Sequence, residues 1–294
     1  MKKWVFVLLL LTTTGLMGSS FAVGKIGLEY VSPLLLVGLR FTIAGVLMAI
    51  AVKLTKRPHP SQVKDWGKIA LVGSLQTAGV MGCIFLSLRT ITAGESSILT
   101  FTNPLLVVVF GTLFMGMKYR RLQWLGVMMG IAGVFITLGA SLDVGQIGFL
   151  LGVMSSVFWA SATLVMKKWG STFDTWVMTA YQMLFGGIML LLGSVLFEQA
   201  KIIFAPGSIG IILWLAIMAS IVQFAIWFYL LKKEDPAKVS SFLFLAPLFG
   251  VLTGWLLLKE QLHLNTLIGG SIILLGIYLV NKPVKEMRKN RRTS

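Results

Sequence analysis

Apolar residues fill ten long stretches of the chain, separated by short segments rich in charge, glycine or proline. Each stretch has the roughly 20 residues that a helix needs to cross the hydrocarbon core of a bilayer. Arg40 is the one formally charged residue inside them, which fits a cost of about 2.5–3.5 kcal/mol for a charge at the bilayer centre. The pattern predicts an all-α integral membrane protein with spans near residues 4–23, 33–52, 69–88, 96–117, 122–141, 146–166, 175–197, 208–231, 239–258 and 264–281.

Basic residues alternate from one connector to the next. Twenty-one Lys and Arg residues fall on one side, counting both termini, whereas only Lys25, Arg89, Lys201 and Lys259 fall on the other. Connectors on the cytoplasmic side of membrane proteins carry the excess of positive charge. We therefore expect a multi-pass protein of the inner or plasma membrane with both termini in the cytoplasm.

Composition supports this class of protein. Of 294 residues, 56% are hydrophobic and 12% are charged, about half the charged fraction of a soluble domain. The net charge of +16 lies in connectors and in the tail 282–294, so we expect contact with anionic lipid and no nucleic-acid partner. Cys83 is the single cysteine, which excludes an internal disulfide, and it is expected to act as a small buried hydrophobe.

The chain resembles itself at a shift of 143 residues. We expect two repeats of five spans, 1–142 and 143–281, followed by the basic tail. Because five is odd, the second repeat must enter the membrane upside down, an arrangement typical of transporters. The shift aligns Lys25 with Lys168, Pro104 with Pro247, Gly111 with Gly254, Gly126 with Gly269 and Gly133 with Gly276.

Several short motifs resemble those of one transporter family. Gly18-Ser-Ser-Phe-Ala-Val-Gly-Lys25, Ser32-Pro33 and Arg40-Phe41 are similar to the opening of EamA-type members of the drug/metabolite transporter superfamily. The proline-centred fourth and ninth spans, with Lys259-Glu260 after the ninth, resemble the end of the EamA repeat. The first half departs from the pattern, because Met117 stands where the repeat usually has an acidic residue.

The resemblance implies ten helices, of which the first, third, fourth, sixth, eighth and ninth surround a central cavity. It also implies a secondary transporter, an exporter or exchanger of small polar metabolites such as amino acids, purines, sugars or amines, working by alternating access. We expect no cofactor, no metal and no enzymatic activity, and a monomer suffices for such a mechanism.

The fourth span holds the strongest candidate for substrate contact. Pro104 has no N–H, so the carbonyl of Thr100 loses its usual partner inside the helix. Thr100 and Asn103 are therefore candidate substrate-binding residues, although their side chains could also repair the kink. Pro247 is the counterpart of Pro104, and both are candidate hinges of the gates.

Other polar and aromatic residues near mid-membrane are further candidates. Gln76 and Gln223 each bring a donor and an acceptor into hydrocarbon, and they serve either a substrate or contacts between helices. Ser19 belongs to the same set. Trp159, Trp227 and Phe244 are either apolar walls for a substrate or ordinary packing residues.

Two cations have two interpretations each. Arg40 and Lys25 either bind an anionic substrate group or hold the structure by bonding to carbonyls near helix ends. Their residue types alone do not decide between these roles.

Residues that are absent from the predicted spans limit the mechanism. No Asp or Glu falls inside a span, and Glu95 lies at the start of one, so uniport or exchange is simpler than proton coupling through a buried carboxylate. No H-E-x-x-H motif or intramembrane His suggests an enzyme. The remaining alternatives are a membrane sensor or structural protein without flux, and a multidrug exporter.

Overall fold

The fold is all-helical in the part of the chain that our computed structural model describes, residues 2–137, 147–234, 236–240 and 242–281. It contains ten helices, as predicted; nine are long and apolar enough to span a membrane, and α5 is shorter. They are α1 Lys3–Gly27, α2 Pro33–Leu54, α3 Val63–Ser87, α4 Ala93–Met115, α5 Arg121–Thr137, α6 Ile147–Trp169, α7 Thr175–Phe197, α8 Pro206–Lys233, α9 as Pro236–Ser240 and Leu245–Leu258, and α10 Leu264–Asn281.

Helix pairing follows the 143-residue shift. Helices α2 and α7 pack together, as do α5 and α10, and each of these pairs joins equivalent helices of the two halves. The contact of α1 with α9 likewise corresponds to that of α6 with α4. The halves therefore pack with approximate two-fold symmetry. The predicted boundary at 142/143 and the tail 282–294 lie outside the described residues.

Small residues let the paired helices approach closely. A Cβ atom on Gly126 in α5 would lie 2.6 Å from the carbonyl oxygen of Gly276 in α10, and a Cβ on Gly276 would lie 2.6 Å from the carbonyl oxygen of Gly126. Any side chain at either position would force the backbones apart. Close backbone contact of this kind replaces the hydrophobic effect, which does not drive association between helices in lipid.

Helices α4 and α9 are each interrupted, where the sequence predicted continuous spans. In α4 the break falls between Thr100 and Asn103, and in α9 between Ser240 and Leu245. Pro104 and Pro247 lie in the first turn of the segment that follows each break. A proline costs no hydrogen bond there, because the first N–H groups of a helix have no partner inside it.

Helices α3 and α8 each contain a π-helical segment that the sequence did not predict. The segments are Gly73–Gly79 and Ile217–Val222, and they also correspond under the shift. In the first, the Thr77 hydroxyl donates to Gln182 Oε1 at 2.9 Å. In the second, Arg40 Nε donates to Ser220 Oγ at 3.0 Å. Insertions of this kind are frequent at functional sites, and here each is held by a polar side chain of α2 or α7.

The sequence placed Glu95 just outside the fourth span and predicted that Cys83 is buried, and both expectations need correction. Glu95 lies within α4, in its first turn, where it completes a capping box with Thr92 and is buried with 8% of its surface exposed. Cys83 is only half-buried.

Candidate functional site

A cavity of about 600 Å³ lies between the two halves. Its lining runs from mid-bundle to the end of the molecule where Tyr119, Gly170 and Asn281 lie. We call this the basic end, because its connectors carry most of the Lys and Arg residues. The opposite end contains the connectors after α1, α3, α7 and α9.

Five of the eight predicted substrate-binding residues line this cavity: Gln76, Asn103, Trp159, Gln223 and Trp227. They come from α3, α4, α6 and α8. The predicted hinge Pro104 also lines it. That these residues contact a substrate stays a prediction.

The other three predicted residues lie outside the lining. Thr100 is fully buried and shares a hydrogen bond of 2.8 Å with the Ser155 hydroxyl. Phe244 packs against the rings of Phe242 and Tyr278. The Ser19 hydroxyl donates within its own helix, to the carbonyl of Leu16. Pro247 is buried and does not line the cavity.

Helix α7 contributes to the cavity, although the resemblance assigned it no part. Thr175, Met178, Thr179 and Gln182 all face it. Gln182 is buried, and it has the same feature that singled out Gln76 and Gln223, an amide inside an apolar span. The sequence therefore held a signal for α7. Residues at the ends of α5 and α10, Gln123 and Asn281, complete the mouth.

The lining is mostly apolar, and its polar side chains are uncharged among the residues that the structure describes. Amides from six helices meet hydroxyls, methionines and aromatic rings there. Burial raises the pKa of the Tyr119 phenol, which therefore stays protonated and donates to the carbonyl of Val107 at 3.4 Å. The chemistry that these side chains offer is hydrogen bonding and aromatic stacking.

Arg40 lies away from the cavity. It is buried, and its Nη2 donates to the carbonyl of Ala219 at 2.9 Å, beside the bond to Ser220. Its guanidinium lies over the Phe41 ring, 4.6 Å from the centroid. The side chain therefore satisfies carbonyl and hydroxyl groups of the π-helical segment in α8. These are the contacts expected for a structural role, which stays a prediction.

Lys25 joins three helices at the opposite end. Its ammonium donates to Glu260 Oε1 at 3.0 Å and to the carbonyl of Ile91 at 2.8 Å. Glu260 in turn accepts from the backbone N–H of Ala93 at 2.7 Å, at the start of α4. The carboxylate is 9% exposed, so charge-assisted hydrogen bonds close this end.

A second polar network lies beside it. Glu95 accepts from the Thr266 hydroxyl at 3.2 Å, which ties α4 to the start of α10. Together these contacts tie α1, α4, α9 and α10 to one another at the opposite end, which the lining of the cavity does not reach.

Comparisons with known proteins agree with this architecture. The model of the EamA-like transporter family matches residues 4–139 and again 146–282. The chain is 30% identical to the uncharacterized transporter YvbV of Bacillus subtilis (strain 168), over 92% of this chain and 90% of that one. It is 28% identical to the uncharacterized inner membrane transporter YedA of Escherichia coli (strain K12), over 90% and 86% of the two chains.

A solved structure with 21% sequence identity covers 94% of this chain and 97% of its own, with a TM-score of 0.66. At that identity the likeness shows the fold alone. The family model matches nearly the whole chain, once in each half. The protein therefore belongs to the EamA-like transporter family.

Proposed function

We propose that the protein is a secondary transporter that moves small polar metabolites across the inner or plasma membrane by alternating access. The observation that carries this proposal is a cavity built by both halves, open at the basic end and closed at the other by Lys25 and Glu260. The positive-inside rule assigns the basic end, with both termini, to the cytoplasm. The described state would then face inward.

Alternating access needs a second arrangement in which the opposite end opens. The approximate two-fold symmetry of the halves makes this second arrangement possible. When two inverted repeats exchange conformations, an inward-facing cavity becomes an outward-facing one. The breaks at Pro104 and Pro247 are the points where α4 and α9 would bend. In this scheme export or exchange follows the substrate gradient, and no carboxylate in the cavity relays a proton.

Multidrug export is the second candidate. Met17, Met166 and Met178 line the cavity beside Trp159 and Trp227, and methionines adapt to ligands of different shape. Flux of unrelated aromatic cations at similar rates would favour this candidate over a metabolite carrier. A sensor without flux would show binding and no transport.

Reversible cross-linking of the opposite end tests the proposal. Cysteines would replace Lys25 and Glu260 in a Cys83→Ser background, and flux of labelled amino acids, nucleobases, amines and sugars would be measured in proteoliposomes. A short thiol cross-linker should stop the flux, and a reductant should restore it. The Lys25→Cys variant alone, treated in the same way, is the control. Full flux after complete cross-linking would contradict alternating access, and an ionophore that abolishes flux would contradict exchange without proton coupling.

A further inference from the structure

We propose that the cavity selects an uncharged ligand, one with a flat apolar body and at least one N–H or O–H donor that bonds to Asn103. This inference rests on the proposed function and narrows its substrate class. It favours carboxamide-like or lactam-like compounds over ions, and over free amino acids, which carry two full charges at neutral pH.

The lining argues against a charged ligand. None of its described residues is Asp, Glu, Lys, Arg or His. An ion taken from water into such a site without a counter-charge loses far more hydration than neutral hydrogen bonds return. Amide and hydroxyl groups suit a ligand of the same kind, because each bond then exchanges one neutral partner for another.

The break in α4 does not create an anion site. Phe101 and Thr102 form a turn with φ of −76° and −72° and ψ of 5° and −7°. Their N–H groups donate to the carbonyls of Ser97 at 3.0 Å and Leu99 at 3.2 Å, and the N–H of Leu105 donates to Thr102 at 2.9 Å. A carboxylate would find these donors already used, unlike the free N–H groups at the start of a separate helix.

Asn103 has an acceptor without a donor. Its side-chain Oδ1 is buried and has no hydrogen-bond partner among the described residues, and the residue as a whole is 6% exposed. Leaving such an acceptor unpaired destabilises the structure, because the group has lost its hydration without gaining a donor. Because this oxygen is buried, it accepts from a ligand in the cavity only after a half turn of the amide, which places the NH₂ group in the buried position. The equivalent residue in the other half is the buried Ala246, so the two-fold fold does not require an amide here.

Gln182 supplies the complementary group. Its Oε1 is already occupied by the Thr77 hydroxyl, which orients the amide and leaves its NH₂ group as the donor. A ligand that carries both an acceptor and a donor, as a carboxamide does, matches Gln182 and Asn103 together.

Aromatic rings provide the apolar contact. Trp159 packs edge-on against Phe101 with centroids 5.2 Å apart, and Phe224 lies beside Phe228 at 5.8 Å. Trp159, Phe224 and Trp227 face the cavity. Rings fixed in this way offer stacking surfaces to a flat ligand, in addition to the apolar area that they bury.

Four pyridines that share one ring test this selectivity. Nicotinamide is neutral with N–H donors, N,N-dimethylnicotinamide is neutral without them, nicotinate is an anion and 1-methylnicotinamide is a cation. Binding to the purified full-length protein is followed by quenching of tryptophan fluorescence. We expect nicotinamide to bind at least about tenfold more tightly than the other three, which is the effect of roughly 1.4 kcal/mol.

A matched pair of variants locates the effect. Asn103→Leu should weaken nicotinamide about tenfold, to the level of the dimethyl compound, and leave the dimethyl compound unchanged. Thr112→Val is the control, because Thr112 lies further along α4, bonds to the carbonyl of Val108 in its own helix and does not line the cavity. It should change neither affinity.

Other outcomes overturn the inference. Equal or tighter binding of nicotinate or 1-methylnicotinamide would remove the charge selection, and equal binding of the dimethyl compound would remove the donor requirement. No nicotinamide binding up to its solubility limit would also contradict the inference. Counterflow in proteoliposomes separates the proposed transport function from the proposed selectivity. The expected binding without protein-dependent flux would contradict the transport function. Flux of charged compounds alone would contradict only the selectivity.

Discussion

The two ends of the bundle use equivalent positions differently. At the opposite end Lys25 of α1 bonds to Glu260 after α9. At the basic end the equivalent residues are Lys168 and Met117, and Lys167 lies 3.6 Å from the Met117 sulfur. Within the described residues no ion pair joins α6 to α4 at this end. A cross-helix ion pair is therefore present where the cavity is closed and absent where it is open.

The contact between α1 and α9 also differs from the equivalent contact between α6 and α4. A Cβ on Gly18 in α1 would lie 2.6 Å from Phe249 Cβ and 2.7 Å from the backbone nitrogen of Gly250, so α1 and α9 touch directly. The residue equivalent to Gly18 is Ser161 in α6, and Asn103 in α4 lines the cavity. One copy of the repeat has the small residues for a tight contact, whereas the other has the polar residues of a binding site.

The difference indicates what favours the described state. An ion pair and a close backbone contact at one end, unmatched at the other, bias two otherwise equivalent arrangements toward the one open at the basic end. A bias of a few kcal/mol leaves the alternative as a minor population that a substrate can still reach.

Gly18→Ala should have the largest effect on the difference between the two ends, because it disturbs the contact between α1 and α9. The new methyl group meets backbone atoms of α9 that cannot move independently, and overpacking of this kind costs about 1–3 kcal/mol. We expect a lower unfolding temperature for the purified protein and faster labelling of a cavity cysteine from the opposite end. Gly15→Ala is the control, because its nearest neighbour, Phe249, would be 4.0 Å away. Equal effects of both variants would show that the α1–α9 contact is not tight.

Glu260→Gln should have the next largest effect. The amide keeps an acceptor for the N–H of Ala93 but loses the charge that holds Lys25, which is 29% exposed. A charge-assisted bond in this partly wet setting contributes about 1 kcal/mol, so the outward-open population should rise about fivefold. A cysteine at Met17, with Cys83→Ser, would report this through an impermeant maleimide added from the opposite end. Glu29→Gln removes the same charge from an exposed position nearby, and an equal response would exclude the ion pair as the cause.

Met117→Glu should have the smallest effect, and it acts on the basic end instead of the opposite end. The new carboxylate would attract Lys167 and Lys168 and favour closure of the basic end. The residue equivalent to Ala93 is Pro236, which has no N–H, so the hydrogen bond that Glu260 accepts from Ala93 cannot be reproduced at the basic end. We expect a shift below about 1 kcal/mol, the range of exposed ion pairs, seen as slower maleimide labelling from the basic end. Met117→Gln should leave the labelling rate unchanged.

Features that depend on local hydropathy could be predicted from the sequence. The last span was predicted at 264–281, which are the bounds of α10, because a bilayer imposes both length and composition on a helix. The cavity residues Gln76 and Gln223 were found as polar groups in apolar stretches, and Asn103 was found from its position beside Pro104.

Features that depend on distant partners could not be predicted. The π-helical segments of α3 and α8 are held by Gln182 and Arg40, which are far away in sequence. The pairing of Lys25 with Glu260 spans 235 positions, and nothing near either residue indicates the other. Thr100 was assigned to the site because of a local kink, but its hydroxyl is paired with Ser155 away from the cavity.

The most direct test of alternating access is the distance between α1 and α9 at the opposite end. Spin labels on cysteines at Glu29 and Gln261, both exposed, in a Cys83→Ser background would report it by pulsed electron resonance in lipid nanodiscs. We predict two distances, with the shorter one dominant and the longer one increased by Glu260→Gln. A single distance that does not change in this variant would contradict a gate at Lys25 and Glu260, and with it the proposed transport mechanism.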